Sequence, residues 1–183
     1  TMQKMVTKRG KNDIKEMLYS EDARNVLREF NSASFLYFLE KITGINGLIC
    51  DPYFAEAGFH CSANGGYLDI HADFSHHDKL GLERRLNLIF FLNDNWLYEY
   101  NGFLSLYDKK LYPFISVKPN ANSCVLFKTS DTSYHGHPEP MKLPKNIYRK
   151  SIALYYYTTP TKRKKSKIVF PEDLNFSNSV SKE

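Results

Sequence analysis

Gly65-Gly66-Tyr67-Leu68-Asp69-Ile70-His71-Ala72-Asp73 is the stretch on which the reading of this chain turns. It opens with the turn signal Asn64-Gly65-Gly66, and then Tyr67, Asp69, His71 and Asp73 alternate with Leu68, Ile70 and Ala72. A period of two predicts a strand with two unlike faces. Residues two apart on a strand emerge on one side, so an imidazole and a carboxylate stand next to each other. These are two of the three ligands of a facial site for a non-heme divalent metal such as Fe(II). A His-x-Asp pair is also common on ordinary surface strands. Its meaning therefore rests on whether the chain supplies a third ligand, an anion site and a scaffold.

Working outward, the scaffold reads as mainly β. After Asn46-Gly47, apolar or aromatic segments recur between turn signals: Gly58–Ala63, Tyr67–Asp73, Leu86–Leu92, Phe103–Tyr107, Phe114–Val117, Cys124–Phe127, Ser133–Gly136 and Tyr148–Thr158. About eight strands at this spacing predict a sandwich, jelly roll or barrel. Ahead of them, from Asp13 to about Ile42, the periodicity is helical. Ser20-Glu21-Asp22 provides an N-cap with an acidic first turn, Asn31-Ser32 restarts a second helix, and Gly44 ends it. The expected organisation is a single domain. Residues 1–46 form a helical support with a polar, basic start, 47–160 a β core, and 161–183 a basic and polar tail.

Composition bounds the function. The chain has 183 residues, 42% hydrophobic and 25% charged, ordinary values for one soluble domain with a substantial core. Thirteen Tyr and 13 Phe favour a β fold with a bulky interior. The three cysteines, Cys50, Cys61 and Cys124, form no close metal-binding pattern and suit reduced thiols. No signal-like apolar region follows Thr1-Met2-Gln3-Lys4, and no apolar run approaches the ~20 residues of a membrane span. The expectation is a soluble, cytoplasmic protein without a membrane partner. The net charge of +5 is concentrated in Lys162-Arg163-Lys164-Lys165-Ser166-Lys167. Such a run is most often a solvated tail and less often a dock for nucleic acid, and the body of the chain has no basic footprint.

The candidates for the third ligand are His60, His76, His77, His135 and His137. His60 is on the preceding strand and reads as core or surface. His76 and His77 lie in a polar loop that reads as exposed, at a substrate rim. His135 and His137 share strand spacing before the Pro138 and Pro140 stop. His135 is preferred because it lies on the more regular segment, with His137 lining the rim or supporting the site from behind. Downstream, Arg149 and Ser151 share one face of a strand, where a permanently charged fork and a hydroxyl can clasp one carboxylate. No Ser/His/Asp arrangement suggests nucleophilic catalysis.

Taken together and in order, His71-x-Asp73, the Arg85-Leu86-Asn87-Leu88-Ile89-Phe90-Phe91-Leu92-Asn93 strand with Trp96, Asn101-Gly102-Phe103-Leu104, His135-Gly136 and Arg149-x-Ser151 carry a resemblance. The chain resembles the Fe(II)- and 2-oxoglutarate-dependent dioxygenases, in particular the prolyl 4-hydroxylase-like branch, from about Gly58 to Thr158. The resemblance implies a double-stranded β-helix (jelly-roll, cupin-like) core buttressed by the helices. It implies that His71, Asp73 and His135 bind iron, that Arg149 pairs with the distal carboxylate of 2-oxoglutarate, and that Ser151 assists. Tyr67, placed on the His71 face, is an expected cosubstrate contact. The implied cofactors are Fe(II), 2-oxoglutarate and O2, with ascorbate as reductant. The implied reaction is hydroxylation of a prolyl residue in a peptide or protein, with succinate and CO2 as coproducts. The alternatives are the same chemistry on a free amino acid, another small molecule or a nucleic-acid base, and a non-catalytic jelly-roll binding module. Phe74, Trp96 and Tyr134 read either as a peptide groove or as core. Two departures stand out. Phe91 occupies a place where some prolyl hydroxylases have a Tyr that binds 2-oxoglutarate, and the Pro-rich interval from His135 to Arg149 is long.

Overall fold

The computed structural model of the chain describes residues 19–54 and 57–160. The expectations for residues 1–18 and for the basic tail, 161–183, lie outside the described residues. Helix α1 (Glu21–Phe30) begins at Ser20, whose hydroxyl accepts the Ala23 N–H. Helix α2 (Ala33–Thr43) begins at Ser32, whose hydroxyl accepts the Phe35 N–H, and ends at Gly44. The caps were legible because these hydroxyls satisfy N–H groups that a helix start leaves unpaired.

The strands are β1 (Ile49–Cys50), β2 (Gly58–Ser62), β3 (Leu68–His71), β4 (His76–His77), β5 (Leu82–Phe91), β6 (Leu104–Tyr107), β7 (Pro113–Val117), β8 (Cys124–Lys128), β9 (His135–His137) and β10 (Arg149–Thr158). They form two antiparallel sheets. One is centred on the long pair β5–β10, with β1 and β2 on the far side of β10 and β4 and β8 on the far side of β5. The other runs in the order β3-β9-β6-β7. This is the expected jelly-roll core with helices against it. All eight predicted strands are present. β1 and β4 escaped prediction because each is two residues long, too short to show a pattern of its own; β1 is fixed by distant β10 and β4 by a short hairpin with β5.

The faces of β10 explain how the fold builds a site. Ile152, Leu154 and Tyr156 point outward with Leu86 and Leu88, and pack against Leu27 and Leu39 of the two helices. Tyr156 also donates its hydroxyl to the Phe30 carbonyl at 3.0 Å, which ties α1 to the sheet. Between the sheets Phe91, Leu104 and Val125 form a second core, flanked by Ile89, Leu106, Val117 and Phe127. Ser151 pairs with Phe91, so Ser151 and Arg149 face inward, toward the second sheet. Both faces of β10 are thus covered, and its inward polar residues are enclosed rather than solvated.

Two bulges set the inward face. Between β10 and β5 the register slips at Tyr156/Tyr157, so Tyr157 pairs with Arg84 while Tyr156 pairs with Leu86. The extra residue turns Arg84 inward, where its guanidinium lies 4.0 Å from the Tyr155 ring centroid. On β3, Leu68 pairs with His137 and His71 with His135, so three steps on one strand match two on the other. Directly opposed residues share a face. Leu68, and not Tyr67, is therefore in register with the His71 side. This corrects the same-face expectation for Tyr67, which stands half-buried just before β3. Gly136 is required beside this bulge, because a Cβ there would lie 2.8 Å from the Leu68 carbonyl oxygen and 2.9 Å from that of Asp69.

Candidate metal centre

Strand β3 ends at His71, and Asp73 lies two residues beyond its end rather than within the strand as predicted. His135 begins β9 directly opposite His71. The three side chains converge, each offering one ligand atom, with those atoms all within 4.8 Å of one another. His71 Nε2 is 3.4 Å from Asp73 Oδ1 and His135 Nε2 is 3.6 Å from Asp73 Oδ2. Atoms sharing one octahedral ion at about 2.1 Å are about 3 Å apart in cis, so the spacing suits a single small divalent ion.

The tautomers suit it as well. His71 Nδ1–H donates to the Asp69 carbonyl at 2.8 Å, and His135 Nδ1–H to the Ser133 carbonyl at 3.1 Å. A carbonyl only accepts, so both Nδ1 atoms carry hydrogen and both Nε2 lone pairs are presented to the cluster. Hydrogen bonding to Asp73 raises the His71 pKa above its ordinary value, against burial. Burial lowers that of His135, with Asp73 offsetting part of the effect. Burial by itself would raise Asp73, but the His71 hydrogen bond and the charges of His135 and Arg84 outweigh it and hold the carboxyl low. Two imidazoles and an ionised carboxylate fit Fe(II).

The residues that hold Asp73 were not anticipated. Asn87, buried on the inner face of β5, donates Nδ2 to Asp73 Oδ2 and accepts from Thr129 Oγ1 at 3.1 Å. Arg84 Nη1 lies 3.6 Å from the same carboxylate oxygen. The signal for Asn87 was present: a single amide in Leu86-Asn87-Leu88-Ile89, otherwise apolar. Arg84 gave none, since the bulge alone turns it inward. An open cleft of about 330 Å³, lined by Ser75, His76, Glu83, Arg84, Arg85 and Thr129, adjoins this support.

Arg149 is buried at the start of β10. Its Nε donates to the Gly102 carbonyl at 2.8 Å, and its guanidinium lies 5.2 Å from the centroid of the Phe91 ring. Among the described residues no carboxylate lies within ion-pair distance of it. Burial depresses its pKa to about 10, so it stays a cation at neutral pH. Ser151 is buried on the same face. Glycine is needed at 102, at φ +71, where a Cβ would lie 2.7 Å from the Met141 Sδ and crowd the Arg149 Cδ at 3.3 Å. Asn93 pins the same end of β10, giving Nδ2 to the Lys150 carbonyl and accepting the Lys150 N–H. The long interval before Arg149 is packed onto the molecule. Met141 exchanges backbone hydrogen bonds with Gly65 and Gly66, and Leu143 N–H donates to Asn64 Oδ1.

The other histidines divide. His76 is exposed, as expected, whereas His77 is buried 3.5 Å from Asp51 and edge-on to Tyr157. That corrects the rim assignment for His77: it joins β4 to β1. His60 pairs with Ser151 across β2 and β10. His137 is buried, with burial and the Arg149 charge pushing its pKa down to about 3. Of the three aromatic residues considered for a groove, Trp96 is core, packed with Met141 and Leu143 and donating Nε1–H to the Asn101 carbonyl. Phe74 is exposed and Tyr134 half-buried.

Comparison with solved structures finds this fold in prolyl hydroxylases. The viral collagen prolyl hydroxylase of Paramecium bursaria Chlorella virus-1, in its 2OG complex, aligns with a TM-score of 0.55 and 13% identity, over 77% of this chain and 76% of that one. A prolyl 4-hydroxylase of Phytophthora capsici aligns at 0.51 and 18% identity, over 73% and 42%. A Pseudomonas putida prolyl-4-hydroxylase aligns at 0.49 and 17%, over 77% and 64%. The chain thus spans about two-fifths to two-thirds of the last two proteins. A search of the curated proteins gave no match. The family model described as the 2OG-Fe(II) oxygenase superfamily matches residues 57–157, from just before β2 almost to the end of β10, and so takes in the whole His71/Asp73/His135 cluster and Arg149. With more than half of its length matched, the chain belongs to the 2OG-Fe(II) oxygenase superfamily.

Proposed function

We propose that this protein is a 2-oxoglutarate- and Fe(II)-dependent dioxygenase that hydroxylates a prolyl residue of a peptide or protein. Membership of the superfamily implies Fe(II), 2-oxoglutarate and O2. His71, Asp73 and His135 are the residues we assign to the metal, and Arg149 with Ser151 to the distal carboxylate of 2-oxoglutarate. The observation that carries the reading is Arg149: a buried cation with no carboxylate partner among the described residues, on the sheet face that also supports the His71/Asp73/His135 cluster. Burying an uncompensated guanidinium is costly, and an anionic ligand removes the cost. Iron bound at the cluster supplies oxygen activation coupled to oxidative decarboxylation of the keto acid.

The chain's own part is positional. Asn87 and Arg84 fix the Asp73 carboxylate, and the Nδ1–H bonds to Asp69 and Ser133 fix the imidazoles. Arg149, anchored through Gly102, would hold the distal carboxylate of the keto acid. The Phe91, Leu104 and Val125 core keeps water from that side. The overall balance is substrate C–H, 2-oxoglutarate and O2 giving substrate C–OH, succinate and CO2. Ascorbate is proposed as a reductant that maintains ferrous iron. The three free cysteines fit a reducing, cytoplasm-like compartment. Phe74 is exposed and precedes Ser75 of the cleft wall in sequence, which supports a peptide as the partner.

The test is incubation of the full chain with Fe(II), 2-oxoglutarate, ascorbate and proline-containing peptides. Succinate is assayed, and the peptides are mapped by mass spectrometry. Gain of one oxygen atom on proline is expected. Arg149→Met should raise the 2-oxoglutarate Kd at least about thirtyfold, from the ~2–5 kcal/mol lost when one partner of a buried charge pair is truncated. Succinate formation without peptide oxidation would remove the prolyl assignment, and no metal uptake with no succinate would remove the enzyme.

A further inference from the structure

The residue the mechanism leaves unexplained is His137. It stands two positions after His135 on β9, so the two imidazoles share the inward face, and it is enclosed almost completely. Its Nδ1 is buried without a hydrogen-bond partner. Native interiors contain few such atoms, and each calls for a cause. The register carries it toward Arg149: Ser105 pairs with Gly136, which sets His137 opposite Leu104, and Leu104 packs with Phe91, the ring that lies against the Arg149 guanidinium. A buried guanidinium and a buried imidazole on the same interior, with no carboxylate paired to the guanidinium among the described residues, form an arrangement that an apolar side chain at 137 would relieve. Phe91, against the same guanidinium, offers only a hydrocarbon ring. A carboxylate accepts about four hydrogen bonds, and a bidentate Arg uses two of them. The remaining lone pairs need donors, and the buried polar groups at hand are the Ser151 hydroxyl and the His137 ring.

We propose that His137 is a cosubstrate-binding residue, donating a ring N–H to the same ligand carboxylate that Arg149 holds. This rests on the assignment of Arg149 as the carboxylate anchor made above. His137 thereby favours keto acids that carry a second carboxylate, and its unpartnered nitrogen is a cost borne by the ligand-free protein.

The experiment is calorimetric titration of the full chain loaded with Zn(II), a redox-inert stand-in, using 2-oxoglutarate and pyruvate, which has the keto-acid head but no distal carboxylate. His137→Phe should raise the 2-oxoglutarate Kd about ten- to a hundredfold, the range for a hydrogen bond to a charged group. Pyruvate binding should be unchanged, and the ligand-free unfolding temperature should be no lower. His137→Gln, which keeps an N–H, should recover part of the affinity. Wild-type binding of 2-oxoglutarate with His137→Phe within twofold of it would overturn the role of His137 and leave Arg149 standing. Failure of the wild type to bind 2-oxoglutarate would overturn both. Should His137→Phe not fold, the ring nitrogen resonances of His137 in the wild type decide. A shift on adding 2-oxoglutarate but not pyruvate is required, and unchanged resonances would sink the proposal.

Discussion

Replacing Asn87 by Leu tests the support of the metal cluster without touching a proposed ligand. Asn87 is fully enclosed, its Nδ2 donates to Asp73 Oδ2, and its Oδ1 accepts from Thr129 at 3.1 Å. Leu keeps the branched outline, with two methyl groups in place of the amide oxygen and nitrogen, and removes both bonds, leaving Asp73 Oδ2 with Arg84 at 3.6 Å and His135 at 3.6 Å. A hydrogen bond to a charged group contributes about 1.5–3 kcal/mol. That energy is spent on holding the carboxylate where the two Nε2 atoms meet it, so most of it should appear as lost metal affinity, about ten- to a hundredfold at 1.4 kcal/mol per decade. The assay is competitive titration of Zn(II) or Mn(II) against a chelator of known affinity, alongside urea unfolding of the metal-free protein. Asn87→Asp should weaken binding further, since a second carboxylate against Asp73 disfavours ionisation of both. Metal affinity of Asn87→Leu within twofold of wild type, with the fold intact, would refute the claim that this amide positions Asp73.

Two further outcomes follow from the same geometry. Gly136→Ala drives a methyl into the Leu68 and Asp69 carbonyls, which are backbone and must shift, so we expect about 1–3 kcal/mol of lost stability in chemical denaturation together with weakened metal binding. Metal affinity should also depend on pH: Asp73 raises the His71 pKa, so protons compete for its Nε2 from above the ordinary histidine value downward, while His135, lowered by burial, competes only further into acid. Affinity is therefore full at the alkaline end and falls by about tenfold per pH unit once His71 protonates; a flat calorimetric profile from about pH 8 to 5.5 would contradict this.

Much of this protein was written locally. Ser20, Ser32 and Gly44 delimit the helices because capping chemistry acts over three or four residues, and the period-two pattern around His71 located β3 because side chains alternate along any strand. The order of His71-x-Asp73, His135 and Arg149-x-Ser151 pointed to the superfamily for the same reason, since each motif is short and self-contained. Pairing between distant strands lay beyond that reach. The bulge on β3 moves Tyr67 out of the His71 register, and the bulge opposite Tyr156/Tyr157 turns Arg84 toward Asp73. His77 looked like part of an exposed loop until β4 paired with β5 and buried it against Asp51. Trp96 similarly became core only when the segment around Met141 folded back over it. A one-residue shift in register reverses which face every later side chain occupies. Residue type and spacing thus determined which groups were available for the chemistry, and tertiary pairing alone decided which of them share an enclosed space.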